Sequence, residues 1–435
     1  MRPVRAAVAT LAVLLCAGAV DARQRPTGHV SVFGDYLPNR EDTTELRVRL
    51  FAEEKLEPNP RIRITLSGFA EGLVARRPVG PEPDHTGGVT DAIARVHDAH
   101  VGFTWRKLDL LLGSARVVWG RLDELQPTDV INPLDVSRFF FEGRSEARLP
   151  VALVRGRIAF SEDVAIEGVY VPFFRRGRFD QLDEPTSPFN LAAAFAQPPV
   201  ACLALGCPVI SRGERQTPAF TAENAQGGVR FSATTRRVDW SVSAYRGFEP
   251  FGLFVAVPIT GAEIRISETY PRFTMMGADF ETVSGSWGFR GEAAFFAEDS
   301  FQSPSFGRVS GRSVDAGVGL DRRAGDYTVG ATVLVHSESY DTPLASDATV
   351  SDGRTDVSLI VSTDRTFAGE RYRLRGFAVY NASESSGFLR GIGVVTLKDN
   401  VALEGSIGWF IGSGRDLIGR FSSDDFGYVR LKYYF

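Results

Sequence analysis

Apolar and polar side chains alternate along many segments of this chain, and this alternation constrains the fold more than any other feature. Residues 46–50 are LRVRL, residues 61–67 are RIRITLS, and residues 238–244 are VDWSVSA. A side-chain period of two places unlike residues on the two faces of a β-strand. Strands of soluble proteins average about five or six residues, whereas strands that cross a membrane need about nine to eleven. Most alternating segments here have the longer length, which predicts membrane-crossing strands.

The connections between these segments alternate between short turns and long polar loops. Short turns fall near residues 57–60, 161–163, 235–237, 284–286, 323–325 and 398–400. Longer loops fall near residues 75–94, 120–147, 175–225, 247–271, 297–312, 338–353 and 412–424. Outer-membrane barrels have this arrangement, with short periplasmic turns and longer external loops. We therefore predict an all-β fold, a transmembrane antiparallel β-barrel of about 18 strands, with about 16 as the closest alternative.

The predicted strands cover the alternating segments. Their even number is what closure with both chain ends on the periplasmic side requires. They cover residues 28–37, 44–55, 61–74, 95–106, 108–119, 149–160, 163–174, 226–235, 238–247, 272–282, 286–296, 313–322, 326–337, 354–364, 370–381, 388–398, 400–411 and 425–435. Residues 259–268 also alternate, and we assign them to an external hairpin. Counting that segment alone as a wall strand would place the long 297–312 loop on the side of the short turns.

The composition fits a membrane barrel and argues against two other classes. A mean hydropathy of −0.07 rules out a bundle of membrane helices. The near balance of 49 Lys and Arg against 53 Asp and Glu gives no argument for a nucleic-acid partner. Because hydrocarbon offers no hydrogen-bond partners, a β-structure crosses a membrane only as a closed sheet. Many of the 32 Phe and 11 Tyr residues are expected in the aromatic girdles at the two interfaces.

Residues 1–22 are predicted to be a signal peptide, and residues 23–435 to form a single barrel domain. Arg2 and Arg5 precede an apolar stretch, and a small-residue cleavage site ends at Ala22. A membrane anchor is the alternative, but an apolar run of about fifteen residues is too short to span a bilayer comfortably. Cys16 does not indicate a lipoprotein, because a lipobox requires a small residue where Leu15 stands. The chain is thus predicted to be exported to the bacterial outer membrane.

The last segment of the chain carries the most specific local pattern. Val429, Leu431, Tyr433 and Phe435 share one face, and the residues between them include Arg430 and Lys432. A final strand that ends in Phe after alternating apolar residues looks like the signal that the bacterial barrel-assembly machinery recognises. We therefore predict Leu431, Tyr433 and Phe435 to form such a signal. A soluble edge strand that happens to end in Phe is the alternative.

Two cysteines remain after removal of the signal peptide, Cys202 and Cys207. In an exported chain, this close spacing most simply predicts a disulfide that closes a small loop. A metal site would need two further ligands, and no histidine lies nearby. No metal site and no cofactor are predicted.

If the apolar side chains face lipid, the opposite face of each strand lines the lumen. The predicted inward residues are Arg47, Arg49, Arg61, Arg63, Arg155, Arg157, Arg371, Arg373 and Arg375, together with Glu53, Glu167, Asp239, Glu292 and Glu404. A barrel of this size is wide enough for a water-filled channel, and charged rings set the ion preference of a pore. The arginines then form basic ladders that favour anionic or polar solutes. Alternatively, arginines and carboxylates pair along the wall as solvated scaffolding.

The loop at residues 120–147 contains three consecutive phenylalanines, Phe139, Phe140 and Phe141. Exposed apolar clusters of this kind are either functional or unfavourable. We expect the loop to fold back into the barrel and narrow it. Its charged residues are then expected to meet Arg155 and Arg157; they are Asp123, Asp129, Asp135, Arg138 and Arg144. An external lid, or a contact with lipopolysaccharide, is the alternative.

A motif block around this loop resembles a group of uncharacterised porin-like outer-membrane barrels of proteobacterial type. The block consists of Trp119-Gly120-Arg121-x-Asp123, then Ile131-Asn132-Pro133-x-Asp135, and then Arg148-x-Pro150. The resemblance is specific over about residues 105–155. It implies an outer-membrane barrel that moves small or lipid-like molecules, and it brings no catalytic residues.

Three functions are compatible with the sequence, and an enzyme is not predicted. The leading hypothesis is a porin for small polar or anionic solutes. The alternatives are a transporter of hydrophobic compounds, favoured by the phenylalanine-rich loops, and a surface scaffold or receptor. His336 and Ser337 are adjacent on a strand and so point to opposite faces, which disfavours a hydrolase pair. The expected partners are outer-membrane lipid, lipopolysaccharide, the barrel-assembly machinery and a small solute, with the oligomeric state left open.

Overall fold

A computed structural model describes residues 26–39, 44–78, 86–136, 140–178, 209–260, 263–303, 306–346, 349–412 and 416–435. Its strands are β1 (Thr27–Tyr36), β2 (Thr44–Asn59), β3 (Ile62–Pro78), β4 (Thr86–Trp105), β5 (Leu108–Ala115), β6 (Val151–Ala159), β7 (Val164–Val171), β8 (Val209–Gln216), β9 (Gln226–Thr235), β10 (Val238–Phe248), β11 (Leu253–Thr260), β12 (Glu263–Thr269), β13 (Arg272–Ser284), β14 (Trp287–Gln302), β15 (Arg308–Ala324), β16 (Tyr327–Ser346), β17 (Thr349–Phe367), β18 (Tyr372–Asn381), β19 (Ser386–Lys398), β20 (Val401–Ile411) and β21 (Phe426–Tyr434).

All of these strands except β8, β11 and β12 belong to one sheet of 18 strands. Each wall strand pairs antiparallel with its neighbour along the chain, and β1 closes the sheet by pairing with β21 from His29–Tyr434 to Tyr36–Gly427. The predicted antiparallel barrel of 18 strands is therefore confirmed. The helices are short, α1 (Arg144–Ala147), α2 (Leu417–Arg420) and a 3₁₀ turn at Ala222–Asn224. Within the described ranges, no helix combines the length and apolarity that crossing a membrane would require.

The two faces of the wall differ as the alternation in the sequence predicts. On β1 and β21, Val32, Val429 and Leu431 point outward and are exposed, whereas Phe33 and Arg430 point inward and are buried. Outward-facing aromatic side chains include Trp105, Trp287, Trp409, Tyr170 and Tyr380. An apolar outer face against a charged inner face suits a cylinder with hydrocarbon around it and polar groups within.

The strands β8, β11 and β12 form a separate three-stranded sheet. β11 and β12 are an antiparallel hairpin, and β8 pairs parallel with β12. The segment at residues 259–268, predicted as an external hairpin outside the wall, lies in this sheet, so its exclusion from the strand count was right.

Several wall strands extend well beyond their predicted ends. β3 and β4 remain paired up to Pro78 and Thr86, and β16 and β17 up to Ser346 and Thr349. The predicted long loops at 75–94 and 338–353 are therefore wrong over most of their length. Backbone N–H and C=O groups satisfy each other in an antiparallel ladder whatever the side chains. A hairpin that protrudes beyond the lipid therefore needs no apolar face. The alternation of apolar and polar residues stops where the lipid ends, so it does not predict how far the strands continue.

The interior contains a packed apolar core. Trp119, Ile131, Val151, Val171 and Met275 belong to one buried cluster formed by the chain between β5 and β6 together with the inner faces of β5, β6, β7, β10, β13 and β14. A barrel of this size is wide enough for a water-filled channel, but side chains fill this part of the interior. The segment between β5 and β6 is thus a structural part of the inside of the barrel.

A glycine in β5 is required by the backbone. Gly113 has φ of +135°, and a Cβ atom there would lie 2.3 Å from the carbonyl oxygen of Ala99. We expect Gly113→Ala to reduce the free energy of unfolding by about 1–3 kcal/mol, measured by urea titration of the folded barrel in lipid. Gly156→Ala is the matched control, because a Cβ atom at Gly156 meets nothing within 4 Å. Equal stability of the two variants would contradict this account.

Some sequence-based predictions fall outside the described residues. These are the signal peptide at 1–22, the disulfide between Cys202 and Cys207, Arg138, Phe139, and the side chain of Arg144. They remain predictions.

Candidate functional site

The segment at residues 116–150, which joins β5 to β6, contacts inward-facing side chains on widely separated parts of the wall. Arg121 Nε lies 2.6 Å from Asp279 of β13, and Asp123 accepts a hydrogen bond of 2.8 Å from Arg290 of β14. Arg375 of β18 donates to Glu124. We call residues 116–150 the inserted segment. Its contacts place it across the interior of the barrel.

Glu292 of β14 is the main attachment of the inserted segment on the far wall. Its carboxylate accepts hydrogen bonds from the backbone N–H groups of Arg121 (2.9 Å), Leu122 (3.2 Å) and Thr128 (2.6 Å) and from the Thr128 hydroxyl (2.8 Å). Gly120 permits this approach, because it has φ of +106° and a Cβ atom there would lie 2.6 Å from Glu292 Oε1. The Gly-Arg pair of the sequence motif therefore serves the attachment of the segment to the wall.

Asn132 ties the two ends of the inserted segment together. Its Oδ1 accepts a hydrogen bond of 2.7 Å from the Val117 backbone N–H, and its Nδ2 donates to the carbonyl oxygens of Ala115 (3.1 Å) and Leu149 (2.8 Å). The side chain is buried, so all three bonds are shielded from water. Asp129 is paired with Arg148 nearby. Asn132, Asp129 and Arg148 of the motif block are therefore scaffolding for the segment.

Phe140 and Phe141 of the inserted segment pack against the wall near the closure of the barrel. The ring centroid of Phe140 lies 4.9 Å from that of Phe410 and 5.1 Å from that of Phe388. Phe141 lies 5.3 Å from Phe33, and its carbonyl oxygen accepts hydrogen bonds from Arg390 (3.2 Å) and Arg430 (3.3 Å). This segment is held by apolar contacts and by two guanidinium groups.

The charged residues of the inserted segment have partners other than the predicted ones. Asp123 pairs with Arg290, Asp129 with Arg148, and Asp135 with Arg95 and Arg178. Arg155 pairs instead with Glu167 at 2.5 Å, and Arg157 lies 4.0 Å from Asp109. The expectation that this loop meets Arg155 and Arg157 was therefore wrong for its three aspartates. The segment reaches Arg155 only indirectly, because Trp119 Nε1 donates to Glu167 at 2.8 Å.

Arg47 and Arg49 lie beside the inserted segment, where Glu142 accepts from both at 2.9 and 3.0 Å. Arg61, Arg63, Arg155 and Arg157 instead line a separate cavity of about 500 Å³ near the short turns. Arg61 belongs to the turn before β3, and Arg63 pairs with Glu57 at 2.8 Å. Arg373 pairs with Asp364 at 2.8 Å and is exposed near the same end. The predicted arginines therefore divide between two levels of the barrel.

A cavity of about 300 Å³, here called the basic chamber, lies between the inserted segment and the wall formed by β1–β4 and β21. Its cationic lining residues are Arg47, Arg49, Arg95, Arg116, Arg148, Arg175, Arg178, Arg430 and Lys432, and its carboxylates are Glu71, Asp135, Glu142 and Glu146. Further carboxylates lie behind the arginines, since the side chains of Glu45 and Asp129 are fully buried. Cations therefore dominate the surface that a solute would meet.

Arg175 shows how crowded this positive charge is. Its guanidinium donates to the carbonyl oxygen of Pro150. Burial lowers the pKa of Arg175, and the neighbouring Arg95 lowers it further, while Asp135 opposes the shift. A cation destabilised by burial and by another cation is stabilised when an anion approaches.

Arg121 shows the opposite balance at the far wall. Burial alone would lower its pKa, but hydrogen bonds and ion pairs with Asp279 and Glu281 raise the pKa above the usual value. Its charge is compensated, so Arg121 holds the segment in place and adds little to the attraction of anions.

A second cavity of about 350 Å³, here called the phenylalanine chamber, lies on the other side of Phe140 and Phe141. Phe377, Phe388, Ile360, Val379 and Ile418 form its apolar lining. Charged side chains line its remaining surface. The cations Arg375, Arg390, Arg430 and Lys432 come from the wall, and the carboxylates are Glu404 of the wall and Glu124, Glu142 and Glu146 of the inserted segment.

Sequence analysis missed Arg95, Arg175 and Arg178 as lining residues. Arg95 lies next to an irregularity in the pairing of β3 with β4 between Leu66 and Gly68, which shifts the alternation by one residue. Arg175 and Arg178 follow β7 in a region predicted as an external loop. Their local sequence, FFRRGRF, is rich in arginine and phenylalanine, and that composition was the available signal.

Two further arrangements bear on catalysis and metal binding. His336 contacts Asp315 and Glu338, the latter at 2.9 Å, whereas Ser337 bonds to Thr355 at 2.9 Å. His336 and Ser337 thus do not form a nucleophile and base pair. In the part of the chain that the structure describes, no three His, Cys, Asp or Glu side chains are grouped as metal ligands would be.

The closed wall of 18 strands, its apolar outer face and its charged, partly filled interior define a porin-like β-barrel. A family model described as "Protein of unknown function (DUF1302)" matches residues 78–353. The chain belongs to that family. A comparison with curated protein sequences finds no match.

Solved barrels resemble the chain in fold at low sequence identity. OccAB3 from Acinetobacter baumannii is 11% identical, with 95% of this chain and 100% of that chain covered and a TM-score of 0.50. OpdK from Pseudomonas aeruginosa, solved with vanillate, is 11% identical, with 95% and 98% covered and a TM-score of 0.48. A BenF-like porin from Pseudomonas fluorescens is also 11% identical, with the same coverage and a TM-score of 0.47.

Proposed function

We propose that the protein is an outer-membrane channel through which small polar and anionic solutes diffuse. The observation that carries this proposal is the lining of the basic chamber, where nine Arg and Lys side chains face four carboxylates. Charge of one sign in a cavity with low-dielectric walls raises the local concentration of ions of the opposite sign. The apolar outer wall fits lipid, and the alternating last strand, with Leu431, Tyr433 and Phe435 exposed on it, fits recognition by a barrel-assembly machinery.

The inserted segment is proposed to be the constriction of this channel. Glu142 contacts β2, Arg121 contacts β13, and Glu124 contacts β18. The backbone of the segment binds Glu292 of β14, and Phe141 contacts β21. A solute that crosses the barrel must therefore pass the segment through the chambers on its sides. The arginines of the basic chamber then act where the path is narrow, and at short range charge has its largest effect on selectivity.

Ion selectivity in planar bilayers tests the proposal. The purified protein is expected to give stepwise conductance, and a potassium chloride gradient is expected to give a zero-current potential of the sign for anion preference. We expect Arg175→Glu to lower the anion-to-cation permeability ratio on the order of threefold. The reason is that the substitution replaces one positive with one negative charge on the lining of the basic chamber.

The control is Arg236→Glu, which makes the same charge change in the turn between β9 and β10, away from the basic chamber. Arg175→Gln covers the case in which the reversed charge prevents folding, and heat-modifiable gel mobility reports folding. Absence of conductance, or cation preference in the unmodified protein, would overturn the proposed function. An unchanged ratio in both Arg175 variants would overturn the role of the basic chamber.

A transporter of hydrophobic compounds is the second candidate function, and the phenylalanine chamber favours it. Phe140, Phe141 and Phe388 form part of a buried aromatic cluster that borders this chamber. Lipid or an aromatic compound retained through purification, together with poor ionic conductance, would support this function over diffusion of polar solutes.

A further inference from the structure

The phenylalanine chamber combines an aromatic surface with cations inside the barrel. Phe377 and Phe388 lie with ring centroids 5.7 Å apart, and Phe388 also lies 5.1 Å from Phe140. Ile360, which is buried, also lines the chamber. An aromatic surface of this kind stabilises an apolar body removed from water, whereas an inorganic ion gains nothing from it.

The two chambers meet. Glu142, Glu146, Arg430 and Lys432 line both the basic chamber and the phenylalanine chamber. Glu142 is held from the basic side by Arg47 and Arg49. Apolar and cationic surfaces are therefore adjacent along one path beside the inserted segment.

The cations at this junction retain capacity for a further anion. Three carboxylates line this junction, Glu142, Glu146 and Glu404. Glu142 pairs with Arg47 and Arg49, and the Glu404 oxygens lie 3.7 Å from Arg430 Nη1 and 3.6 Å from Lys432 Nζ. These distances exceed those of direct hydrogen bonds, which are about 2.7–2.9 Å for charged groups. An ammonium group has three donors, so Lys432 is able to bind a carboxylate without losing a close ion pair.

We infer that this junction is a binding site for amphipathic organic monoanions, with the apolar body in the phenylalanine chamber and the anionic head at Lys432 and Arg430. This inference rests on the proposed channel function and names its substrate class. A carboxylate with a medium-length hydrocarbon chain satisfies both surfaces. A short-chain carboxylate satisfies only the cations. An alkylammonium matches the aromatic surface and the carboxylates of the chamber but is repelled by Lys432 and Arg430.

Octanoate, butanoate and octyltrimethylammonium are the probes for this site. Each is added to the full-length protein in planar bilayers, and the residence time of its current blockades is measured. Calorimetric binding to the protein in nanodiscs gives a second reading that does not require conductance. We expect octanoate to remain about tenfold longer than butanoate, because burial of its chain adds a hydrophobic contribution.

Two pairs of variants separate the roles of the two surfaces. Phe377→Ala is expected to shorten the octanoate residence time about tenfold and leave butanoate unchanged. Its control is Phe69→Ala, which removes a lumen phenylalanine from the basic chamber only. Lys432→Gln is expected to weaken both carboxylates, whereas Lys107→Gln, in the exposed turn between β4 and β5, is expected to weaken neither.

The outcomes distinguish the two levels of the proposal. Equal residence times and affinities for octanoate and butanoate, in a protein that conducts and prefers anions, would overturn the amphipathic site and leave the channel function standing. The amphipathic site would also be overturned if Phe377→Ala and Phe69→Ala changed octanoate binding equally, or if octyltrimethylammonium bound as well as octanoate. Octanoate binding that depends on Phe377 and Lys432 without conductance would support the site and overturn the diffusion channel.

Discussion

Replacement of residues 121–146 by a short Gly-Ser linker is expected to increase single-channel conductance by a factor on the order of two to five. Barrels of this strand number are wide enough for an aqueous channel when their interior is empty. Residues 121–146 fill part of that interior through Ile131 on one side and Phe140 and Phe141 on the other. Without them, the wall and the remaining ends of the inserted segment bound a wider solute path, and anion preference is expected to fall as well.

The control removes a hairpin that does not belong to the wall. Deletion of residues 254–268 removes the β11–β12 hairpin of the separate sheet and is expected to leave conductance unchanged. Both proteins are first checked for heat-modifiable gel mobility, since loss of the core around Trp119 lowers stability. If the linker variant folds with unaltered conductance and selectivity, the inserted segment does not narrow the channel.

The wall of the barrel could be predicted from the sequence because lipid imposes a local rule. An outward residue in the hydrocarbon region must be apolar, so every second residue of a membrane strand is constrained. In the β1–β2 register, Val32 lies opposite Val48 on the outer face, as this rule requires. The neighbouring pair on the inner face, Phe33 and Arg47, is free of the rule. The protruding ends, such as the ladder from Thr90–Val74 to Thr86–Pro78, obey no such rule, so their positions could not be predicted.

The interior could be predicted only in composition. The sequence predicts Arg47, Arg49 and Glu292 as inward residues; in the structure Arg47 and Arg49 pair with Glu142, and Glu292 accepts hydrogen bonds from the inserted segment. It could not show that Glu292 binds Thr128, which lies 164 residues earlier. Partners inside a barrel are set by the height and angle of each strand around the ring, and alternation carries neither quantity. The error over Arg155 and Arg157 has the same origin.

Glu292→Ala is expected to release the inserted segment from the far wall. The substitution leaves three backbone N–H groups and the Thr128 hydroxyl without their acceptor, at a cost of about 3 kcal/mol for a charged acceptor. That cost raises the population of the released segment about a hundredfold. Trypsin cleavage within residues 121–148 of the folded barrel should accelerate accordingly, and the open-channel current should become noisier and larger.

Two variants of the same strand test whether the effect belongs to this carboxylate. Glu298→Ala removes a glutamate of β14 whose side chain is 58% exposed and pairs with Arg246 at 3.2 Å, and it should leave cleavage and current unchanged. Glu292→Gln keeps one acceptor oxygen without the charge and should fall between Glu292→Ala and the unmodified protein. Identical cleavage rates for Glu292→Ala and Glu298→Ala would show that Glu292 does not hold the segment. Its ion pairs with the wall and the packing of Phe140 and Phe141 would then be sufficient.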